Sequence, residues 1–498
     1  MRLDELIAGL EARILRGEGS IEIDEVDFDS RRVAPGTLFV CVPGMSSDGH
    51  DFAPAALEAG ASALVVEREL DLDGPQVLVP DARRAMAPVA ARLFGDPSRE
   101  LRVAGVTGTN GKTTTAFLLR GILEAAGMRC GLLGTVKQVV GGVTEPVERT
   151  TPEATDLQRT LRRMLDGGDR ACVMEVSSHA LQLGRADGVH FDVAAFTNLT
   201  QDHLDFHADM EEYFAAKRLL FLPDAGGGVI APAAAAINAD DSHGSGLLAE
   251  LGARGAPPAT SFSASGAEAD LRAQNVGFDA SGTRFDLLRG NERTQVELPL
   301  PGHFNVENAL AALASADALG VDLATAIEAL AAAEPVPGRM EPIHAGQPFG
   351  VLVDYAHTPD SLENVLGAAR RLTAGRLICA FGCGGDRDAT KRPLMGRAAA
   401  DLSDLAVVTS DNPRSEDPAA IIDQVLAGMG GEGNGETAVE PDRRAAIALA
   451  LAAAGPEDLV VIAGKGHEQG QEFEGGRKIP FDDRDVARAE LARLLARA

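Results

Sequence analysis

Residues 107–115, with the sequence T-G-T-N-G-K-T-T-T, have the composition of a phosphate-binding loop. They follow the strand-like run R-V-A-G-V and precede the helical pattern A-F-L-L-R-G-I-L-E-A-A-G. Glycines let successive backbone N–H groups face phosphate oxygens, and the helix N-terminus adds its positive end. Lys112 would reach the β- and γ-phosphates, and the Thr113 hydroxyl would bind Mg²⁺. The pattern predicts an ATP site that includes Gly108, Thr109, Asn110, Gly111, Lys112, Thr113 and Thr114.

This loop departs from the strict pattern G-x-x-x-x-G-K-[ST] by one residue. The first glycine of that pattern would stand at Val106, and the chain has Gly105 instead. A glycine-rich turn with a surface lysine is the structural alternative. It leaves unexplained why two glycines flank Thr109 and Asn110 directly before Lys-Thr-Thr, so nucleotide binding is the favoured interpretation.

A second unusual stretch is V-V-T-S-D-N-P-R-S-E-D-P, residues 407–418. An apolar run ends there in Asp411, Asn412, Pro413 and Arg414, and a helical pattern follows. One interpretation is a capped turn that leads into the helix. The other is a binding loop for a zwitterion, because a carboxylate, an amide and a guanidinium are presented together.

Composition limits the classes of function. The formal net charge is −28, so the surface repels phosphate backbones and anionic lipids, and we expect neither nucleic-acid binding nor membrane insertion. The five cysteines are scattered through apolar runs; Cys379 and Cys383 have zinc-like spacing but lack a second pair, which favours buried reduced thiols. The first fourteen residues predict an amphipathic helix, not a signal peptide. We expect a cytoplasmic protein.

Strand-like and helical patterns alternate along most of the chain, which predicts an α/β fold of three domains. Residues 1–100 predict a small α/β domain, and residues 101–333 a central P-loop-type domain with a mostly parallel sheet. Residues 334–498 predict a C-terminal Rossmann-like domain after a proline-rich joint. The polar, glycine-rich region 242–300 predicts short strands or an antiparallel edge.

The loop T-G-T-N-G-K-T resembles the ATP loop of the Mur ligase and folylpolyglutamate synthetase superfamily. Further motifs follow in the order that this resemblance requires. M-E-V-S-S-H-A-L supplies Glu175 and T-N-L-T-Q-D-H-L-D-F-H supplies His203, which the resemblance implies as Mg²⁺ ligands. Taken alone, His203 and His207 could equally form one face of a helix.

The resemblance also implies the other contacts to ATP. G-H-F-N-V-E-N-A-L supplies Asn305 and Asn308, which lie against the adenine in the family. P-G-R-M-E supplies Arg339, and V-D-Y-A-H-T-P-D-S-L supplies Asp354 for the ribose.

Within the superfamily, the resemblance narrows to the ligases that add the third residue of the cell-wall peptide. Residues 27–52 resemble their uridine-nucleotide domain, and residues 149–158 resemble the loop that holds the sugar-dipeptide. Some relatives carry Gln two residues before the matching Arg185, where this chain has Leu183 beside Gln182. The implied contacts to the UDP-N-acetylmuramoyl-dipeptide are Ser30, Gly44, Met45, Ser46, Ser47, Arg149, Thr150, Thr151, Ser177, Arg185 and Lys217.

Lys217 stands where the family has a carbamylated lysine that bridges to Mg²⁺. Addition of CO₂ would convert this cation into a carboxylate-like ligand, and an unmodified helix lysine is the alternative. The resemblance implies two Mg²⁺ sites built from Thr113, Glu175, His203 and Lys217. The implied catalytic residues are Lys112, Glu175, His203 and Lys217.

The D-N-P-R loop resembles the family signature for meso-diaminopimelate, which has a carboxylate at both ends. Arg414 can clamp the distal carboxylate in a bidentate geometry that lysine cannot reproduce. Family members that add lysine lack that arginine. The implied contacts to diaminopimelate are Arg387, Asp411, Asn412, Pro413, Arg414, Gly464 and Glu468.

The implied reaction is ATP-dependent amide formation through an acyl phosphate, by a monomer whose partners are small molecules. The alternatives are a ligase that adds D-Ala-D-Ala, a folylpolyglutamate synthetase, and a nucleotide-binding regulatory switch. The N-terminal D-S-R motif argues against the folate enzyme, and D-N-P-R together with G-K-G-H-E argues against the D-Ala-D-Ala ligase. A regulatory switch would need no uridine domain and no amino-acid loop.

Overall fold

The computed structural model describes residues 1–44, 47–223, 228–430 and 435–496. Three mostly parallel sheets follow one another along the chain, with strands that lie within residues 13–78, 102–298 and 341–463. Each sheet falls inside one of the three predicted ranges, and the predicted α/β class is confirmed. The limits at residues 100 and 333 stay predictions. The five cysteines are free and buried.

The N-terminal sheet has five strands in the order β1-β5-β4-β3-β2, and only β1 is antiparallel to its neighbour. Its elements are α1 (Leu3–Leu6), β1 (Arg13–Arg16), β2 (Glu25–Asp27), β3 (Thr37–Val40), α2 (Ala53–Glu58), β4 (Ala63–Val66), β5 (Gln76–Leu78) and α3 (Ala82–Leu93). The helix predicted over the first fourteen residues is wrong beyond Leu6. Gly9 turns the chain with φ +73°, and β1 then pairs with β5.

The central sheet has eleven strands in the order β16-β15-β14-β13-β12-β11-β6-β10-β7-β8-β9. Its middle is parallel, and antiparallel hairpins extend both edges. The strands are β6 (Arg102–Thr107), β7 (Cys130–Leu133), β8 (Gln138–Val140), β9 (Val143–Glu145), β10 (Ala171–Glu175), β11 (Val193–Phe196), β12 (Ala234–Asn238), β13 (Ala259–Ser263), β14 (Leu271–Asp279), β15 (Gly282–Arg289) and β16 (Glu292–Leu298). The helices are α4 (Lys112–Ala125), α5 (Ala154–Asp166), α6 (Ser178–Gln182), α7 (Met210–Arg218), α8 (Ser242–Arg254), α9 (His303–Ala318) and α10 (Leu323–Ala331).

The region 242–300 differs from its prediction at its start, where α8 replaces the expected short strand. Asp241 caps this helix by accepting hydrogen bonds from the backbone N–H groups of His243 and Gly244. Gly244 lies against the preceding strand, because a Cβ there would come within 2.0 Å of the Asn238 carbonyl oxygen. The polar, glycine-rich composition suggested short strands, but one of the glycines serves close helix–strand packing. The antiparallel edge predicted for this region is present as β14, β15 and β16.

The C-terminal sheet has six strands in the order β17-β18-β22-β19-β20-β21, and β17 alone is antiparallel. A separate hairpin, β23–β24, lies beside it. The elements are β17 (Glu341–Pro342), β18 (Gly350–Asp354), α11 (Pro359–Leu372), β19 (Leu377–Cys383), α12 (Lys391–Leu402), β20 (Leu405–Ser410), α13 (Pro418–Gly428), β21 (Glu436–Val439), α14 (Arg443–Ala453), β22 (Leu459–Ala463), β23 (Gly470–Phe473), β24 (Arg477–Pro480) and α15 (Asp483–Leu495). Among the described residues, no helix has the length and apolar character to cross a bilayer.

Candidate active site

The carboxyl ends of parallel strands from the central and C-terminal sheets meet at one cavity of about 1200 Å³. Polar groups collect there because all parallel strands of a sheet end at the same edge. The predicted residues that line the cavity are Thr109, Asn110, Gly111, Lys112, Thr113, Thr114, Arg149, Thr150, Thr151, Glu175, Ser177, Arg185, His203, Lys217, Asn308, Arg339, Asp354, Arg387, Asp411, Asn412, Arg414, Gly464 and Glu468. The cavity therefore unites residues predicted for three different substrates.

The phosphate loop occupies the turn between β6 and α4. Gly108 and Gly111 adopt φ values of +146° and +85°. A Cβ at Gly108 would lie 1.9 Å from Thr197 Oγ1, and one at Gly111 would lie 2.3 Å from Asn308 Oδ1. Lys112 Nζ donates hydrogen bonds to the carbonyl oxygens of Gly108 at 3.0 Å and Thr109 at 2.8 Å. Glycine is thus required at both turns, and the lysine lies against the loop that it would serve.

Thr113 and Glu175 meet at the start of α4. The Thr113 hydroxyl donates to Glu175 Oε2 at 3.0 Å, and Arg339 donates to the same hydroxyl at 3.1 Å. The backbone N–H and the hydroxyl of Thr135 also donate to the Glu175 carboxylate, at 2.8 and 3.0 Å. Hydroxyl and carboxylate oxygens are the ligands that Mg²⁺ prefers. These two residues fit one magnesium position.

His203 and Lys217 fit a second magnesium position only if Lys217 carries an added carboxylate group. Within the described ranges, no three His, Cys, Asp or Glu side chains form a metal cluster. Lys217 is 1% exposed and donates to the Gly108 carbonyl oxygen at 2.8 Å. Burial, together with nearby Lys112, holds the pKa of Lys217 well below the usual lysine value. An ammonium cannot bind a metal ion, so this position requires that Lys217 carry a carboxylate group.

Asn308 and Asp354 line the end of the cavity that is predicted to bind the nucleotide. Asn308 donates to Asn305 Oδ1 at 3.1 Å; Asn305 lies behind it and bonds the Pro301 carbonyl oxygen. Asp354 accepts from the backbone N–H groups of Met340 and Ala356, both at 2.7 Å. Burial raises the pKa of Asp354. Backbone hydrogen bonds thus fix this carboxylate at the end of β18.

The aromatic lining of this end was not predicted. Phe278 and Phe304 line the cavity, and the Arg371 guanidinium carbon lies 5.6 Å from the centre of the Phe278 ring. Apolar rings and a guanidinium plane suit a planar base. The sequence signal is weak because Phe278 lies in a hairpin far from any motif.

Residues predicted for the sugar-dipeptide surround Glu153, which is 5% exposed. Its carboxylate lies 2.9 Å from Arg185, 3.2 Å from Arg149 and 3.3 Å from Arg83. Three guanidinium groups thus share one carboxylate, which leaves net positive charge beside the cavity. Sequence reasoning missed Arg83 and Glu153. Leu183, which stands where some relatives carry Gln two residues before the matching arginine, lines the cavity. The neighbouring Gln182 bonds Glu212 at 3.4 Å instead.

The uridine end of the predicted site is separate from this cavity. Ser30, Gly44 and Ser47 lie in the N-terminal domain and are not among the described residues that line it. Gly44 N–H donates to the Ser47 carbonyl oxygen at 2.8 Å and closes a turn. Met45 and Ser46 fall outside the described residues. These contacts to UDP stay predictions.

The D-N-P-R loop follows β20 directly. Arg414 adopts φ +51°, and its side chain donates to the Gly385 carbonyl oxygen at 2.7 Å and to Glu472 at 3.2 Å. Arg387 and Arg414 line the cavity, whereas Pro413 does not. A Cβ at Gly464 would lie 3.3 Å from Asp411 Oδ2. The loop therefore presents the Arg414 guanidinium to the cavity, beside Arg387 from the connection after β19, and the neighbouring hairpin β23–β24 fixes the loop.

Lys465 is the residue of this region that sequence reasoning left unassigned. Its side chain is fully buried and donates to Asn412 Oδ1 at 2.8 Å, Glu468 Oε2 at 2.8 Å and Asp411 Oδ1 at 3.3 Å. Asn412 in turn donates to Glu468 at 2.9 Å. Burial acts to raise the pKa of the Asp411 carboxyl, but the positive charges around it, first of all that of the adjacent Lys465, outweigh burial and hold this pKa below its usual value. A single ammonium thus orders the carboxylate and amide groups of the loop.

Contacts between the central and C-terminal domains surround the cavity. Asn110 donates to Asp360 at 2.7 Å, Lys391 to Asp202 at 3.4 Å, and the His467 ring to the Thr135 carbonyl oxygen at 3.2 Å. Partly buried polar contacts of this kind are typical of domain interfaces that open and close. The structure therefore represents a docked arrangement of the two domains.

Comparison with known proteins identifies the family. Models of the Mur ligase catalytic domain, middle domain and glutamate ligase domain match residues 22–94, 106–316 and 338–466. Relatives from Geobacillus thermodenitrificans and Syntrophomonas wolfei are each 46% identical, with 99% of both chains covered. Both are named UDP-N-acetylmuramoyl-L-alanyl-D-glutamate–2,6-diaminopimelate ligase. The chain belongs to the Mur ligase family.

Solved structures agree with this assignment. A structure titled as a UDP-N-acetylmuramoyl-L-alanyl-D-glutamate–2,6-diaminopimelate ligase is 34% identical to this Mur ligase, with a TM-score of 0.69 and 99% of each chain covered. MurF from Acinetobacter baumannii shares the fold at 21% identity and a TM-score of 0.67. The three-domain Mur ligase architecture that the motifs implied is confirmed.

Proposed function

We propose that this Mur ligase joins meso-diaminopimelate to the D-glutamyl carboxylate of UDP-N-acetylmuramoyl-L-Ala-D-Glu, with ATP converted to ADP and phosphate. The observation that carries the proposal is the shared cavity, which is lined by the phosphate loop, by Arg149 and Arg185 beside Glu153, and by the D-N-P-R loop. The full-length relatives named for this reaction support the same substrates.

The first step is phosphoryl transfer. A D-glutamyl side-chain oxygen forms a bond to the γ-phosphorus, the bond to the β,γ-bridging oxygen breaks, and its electron pair leaves with ADP. Such a reaction needs charge neutralisation and positioning more than covalent help from the protein. Lys112 and the loop N–H groups would hold the β- and γ-phosphates. Arg339 donates to the Thr113 hydroxyl and so lies at the same end of the cavity.

The second step is amide formation. The diaminopimelate amine attacks the acyl carbon, the acyl C–O bond breaks, inorganic phosphate leaves, and the nitrogen loses a proton. Water would compete for the acyl phosphate, so the site must be closed during this step. The contacts of Asn110, Thr135 and Asp202 with the C-terminal domain hold the two domains together around the cavity, and closure for this step would build on that docking.

Two Mg²⁺ ions belong to this proposal. Thr113 and Glu175 would hold one, and His203 and the carbamate of Lys217 the other; bound there, Mg²⁺ would offset phosphate charge. The lowered pKa of Lys217 favours the neutral amine, whose nitrogen can bond to the carbon of CO₂ with loss of a proton. Burial beside Lys112 is thus what prepares Lys217 for modification.

The choice of amino acid would depend on Arg414. Its guanidinium is oriented by Gly385 and Glu472 and still lines the cavity, so it can bind the second carboxylate of diaminopimelate. We also infer that the protein acts in the cytoplasm, because its substrates are a nucleotide, a nucleotide sugar and a free amino acid, and we propose that it acts as a monomer.

Phosphate release tests the proposal. It should require both UDP-N-acetylmuramoyl-L-Ala-D-Glu and an amino acid, with diaminopimelate preferred over lysine and ornithine. Phosphate release that is independent of both would point to a nucleotide switch. A requirement for D-Ala-D-Ala or glutamate as the incoming amine would point to another member of the superfamily.

A further inference from the structure

Lys391 reaches the cavity from the C-terminal domain, and the mechanism above uses it only as a contact between the two domains. The residue is 5% exposed and lines the same cavity as Lys112, Glu175 and His203. Lysines are almost never buried to this extent unless they are paired. Its position therefore requires an explanation from the charges around it.

The surroundings of Lys391 favour an anion. Lys391 is the first residue of α12, a helix of 12 residues, and the free N–H groups and dipole of a helix N-terminus disfavour a cation. Within the described ranges, its ammonium makes one hydrogen bond, to Asp202 Oδ1 at 3.4 Å. This is longer than the usual range of roughly 2.7–3.2 Å, and an ammonium has three donors. Lys391 therefore retains donor capacity on the side of the cavity.

Asp202 is shared among several groups and does not belong to Lys391 alone. Its Oδ1 also accepts from the backbone N–H of His203 at 2.9 Å. Its Oδ2 lies 3.4 Å from His203 Nε2 and 3.7 Å from His357 Nε2. Asp202 comes from the central domain and Lys391 from the C-terminal domain. The ammonium thus takes this position only when the two domains are docked.

We infer that Lys391 is a catalytic residue supplied by the C-terminal domain, whose ammonium binds a non-bridging oxygen of the phosphoryl group as it moves from ATP to the D-glutamyl carboxylate. The inference rests on the proposed function. In this step the carboxylate O–P bond forms, the bond to the bridging oxygen breaks, and its electron pair stays with ADP. Lys391 gives up no proton; it offsets negative charge that spreads over the phosphoryl oxygens.

Hydroxylamine trapping isolates this step. Native protein, Lys391→Met and Lys391→Arg are given ATP, Mg²⁺ and UDP-N-acetylmuramoyl-L-Ala-D-Glu without amino acid, and hydroxamate formed from the acyl phosphate is measured. Loss of one preorganised donor lowers such rates by about 100-fold or more, so Lys391→Met should fall by that factor. Its dissociation constant for ATP should change by less than about threefold, and Lys391→Arg should recover at least roughly a tenth of the native rate.

Two controls separate catalysis from folding and docking. Lys478→Met removes an exposed lysine of β24 and should form hydroxamate at the native rate. Asp360→Asn weakens the contact with Asn110 between the same two domains without changing charge at Lys391. It should lose much less activity than Lys391→Met. If Lys391→Met fails to fold by circular dichroism, the comparison of Lys391→Gln with Lys391→Arg replaces it.

The outcomes are distinct. Hydroxamate formation by Lys391→Met within about threefold of native overturns the inference. An equal loss in Asp360→Asn, with the dissociation constant for ATP unchanged in that variant, also overturns it, because Lys391 would then act only in docking. If the native protein forms no hydroxamate with this acceptor, the proposed function itself fails, and that result is seen before any variant is compared.

Discussion

The ammonium of Lys465 donates a hydrogen bond of 2.8 Å to Asn412 Oδ1 in the interior of the C-terminal domain. The same group bonds Glu468 and Asp411, and its side chain has no exposed surface. Because Asn412 accepts from Lys465, its amide nitrogen is turned toward Glu468. One buried cation thus sets the orientation of three side chains that are predicted to contact the amino acid.

Replacement of Lys465 should therefore damage amino-acid binding selectively. Lys465→Met leaves two carboxylates without their cation, and loss of one partner from a buried ion pair costs about 3–5 kcal/mol of stability. We expect the KM for diaminopimelate to rise by at least roughly tenfold while the KM for ATP changes by less than about twofold. Steady-state kinetics with each substrate varied in turn, beside Lys478→Met as a control, measure both. An unchanged KM for diaminopimelate would contradict the role given to Lys465.

Arg414 should not be replaceable by lysine. Its planar guanidinium donates to Glu472 from Nε and to the Gly385 carbonyl oxygen from Nη1, and a lysine ammonium cannot reproduce the fixed geometry of that fork. A hydrogen bond to a charged group contributes about 1.5–3 kcal/mol, so kcat/KM for diaminopimelate should fall by about 10- to 100-fold in Arg414→Lys. ATP affinity, measured by calorimetry, should stay near native.

Arg397→Lys is the matched control, since Arg397 is mostly exposed on α12 and forms a long ion pair of 3.9 Å with Asp401. It should keep native kinetics. If Arg414→Lys discriminated between diaminopimelate and lysine as well as native protein does, the second carboxylate would be recognised elsewhere.

Added carboxylates should rescue Lys217→Ala. The variant removes the side chain that donates to Gly108 and, once carbamylated, would supply a carboxylate ligand. Formate or acetate can enter the space and supply that group, so part of the amide-forming activity should return as their concentration rises. Lys112→Ala is the contrast, because its function requires a cation and no carboxylate can restore it. Equal rescue of both variants, or of neither, would argue against a carbamate at Lys217.

Gly108 and Gly121 should respond in opposite ways to alanine. At Gly108 the new Cβ would meet Thr197 Oγ1 at 1.9 Å with φ at +146°, so Gly108→Ala should abolish measurable ATP binding. Gly121 lies in the middle of α4 with no atom within 4 Å of a new Cβ. Gly121→Ala should retain ATP binding and raise the free energy of unfolding by about 0.5–1 kcal/mol. Calorimetry with ATP and urea unfolding of both variants provide the measurements.

The sequence predicted the fold well where apolar runs and glycine turns coincide. The strands before Gly108 and Asp411 were both foreseen, because buried parallel strands are short apolar runs that end in polar turns. The structure of the first fourteen residues and the helix α8 were not foreseen. In both places the local pattern was ambiguous, and pairing with β5 or packing of Gly244 on β12 decided the outcome.

The candidate site was foreseen only where motifs name residues. The role of Lys465 was not predicted, because nothing in a sequence marks a lysine as buried. Its flanking glycines were the available signal: Gly464 and Gly466 adopt φ values of +115° and +53°, and a Cβ at Gly466 would meet Tyr355 at 2.8 Å. They allow the chain to pack closely enough to bury the lysine. The position of Lys391 in the cavity was not predicted either, since its partner Asp202 lies in another domain.

The C-terminal sheet carries Asp354 at the end of β18 and Asp411 after β20. One predicted contact to the nucleotide and one to the amino acid therefore move as parts of a single rigid body. Whichever ligand binds first favours the docked position of that sheet and so prepares the site of the other. Thermodynamic linkage then makes the effect mutual: ATP should tighten diaminopimelate binding by the same factor by which diaminopimelate tightens ATP binding.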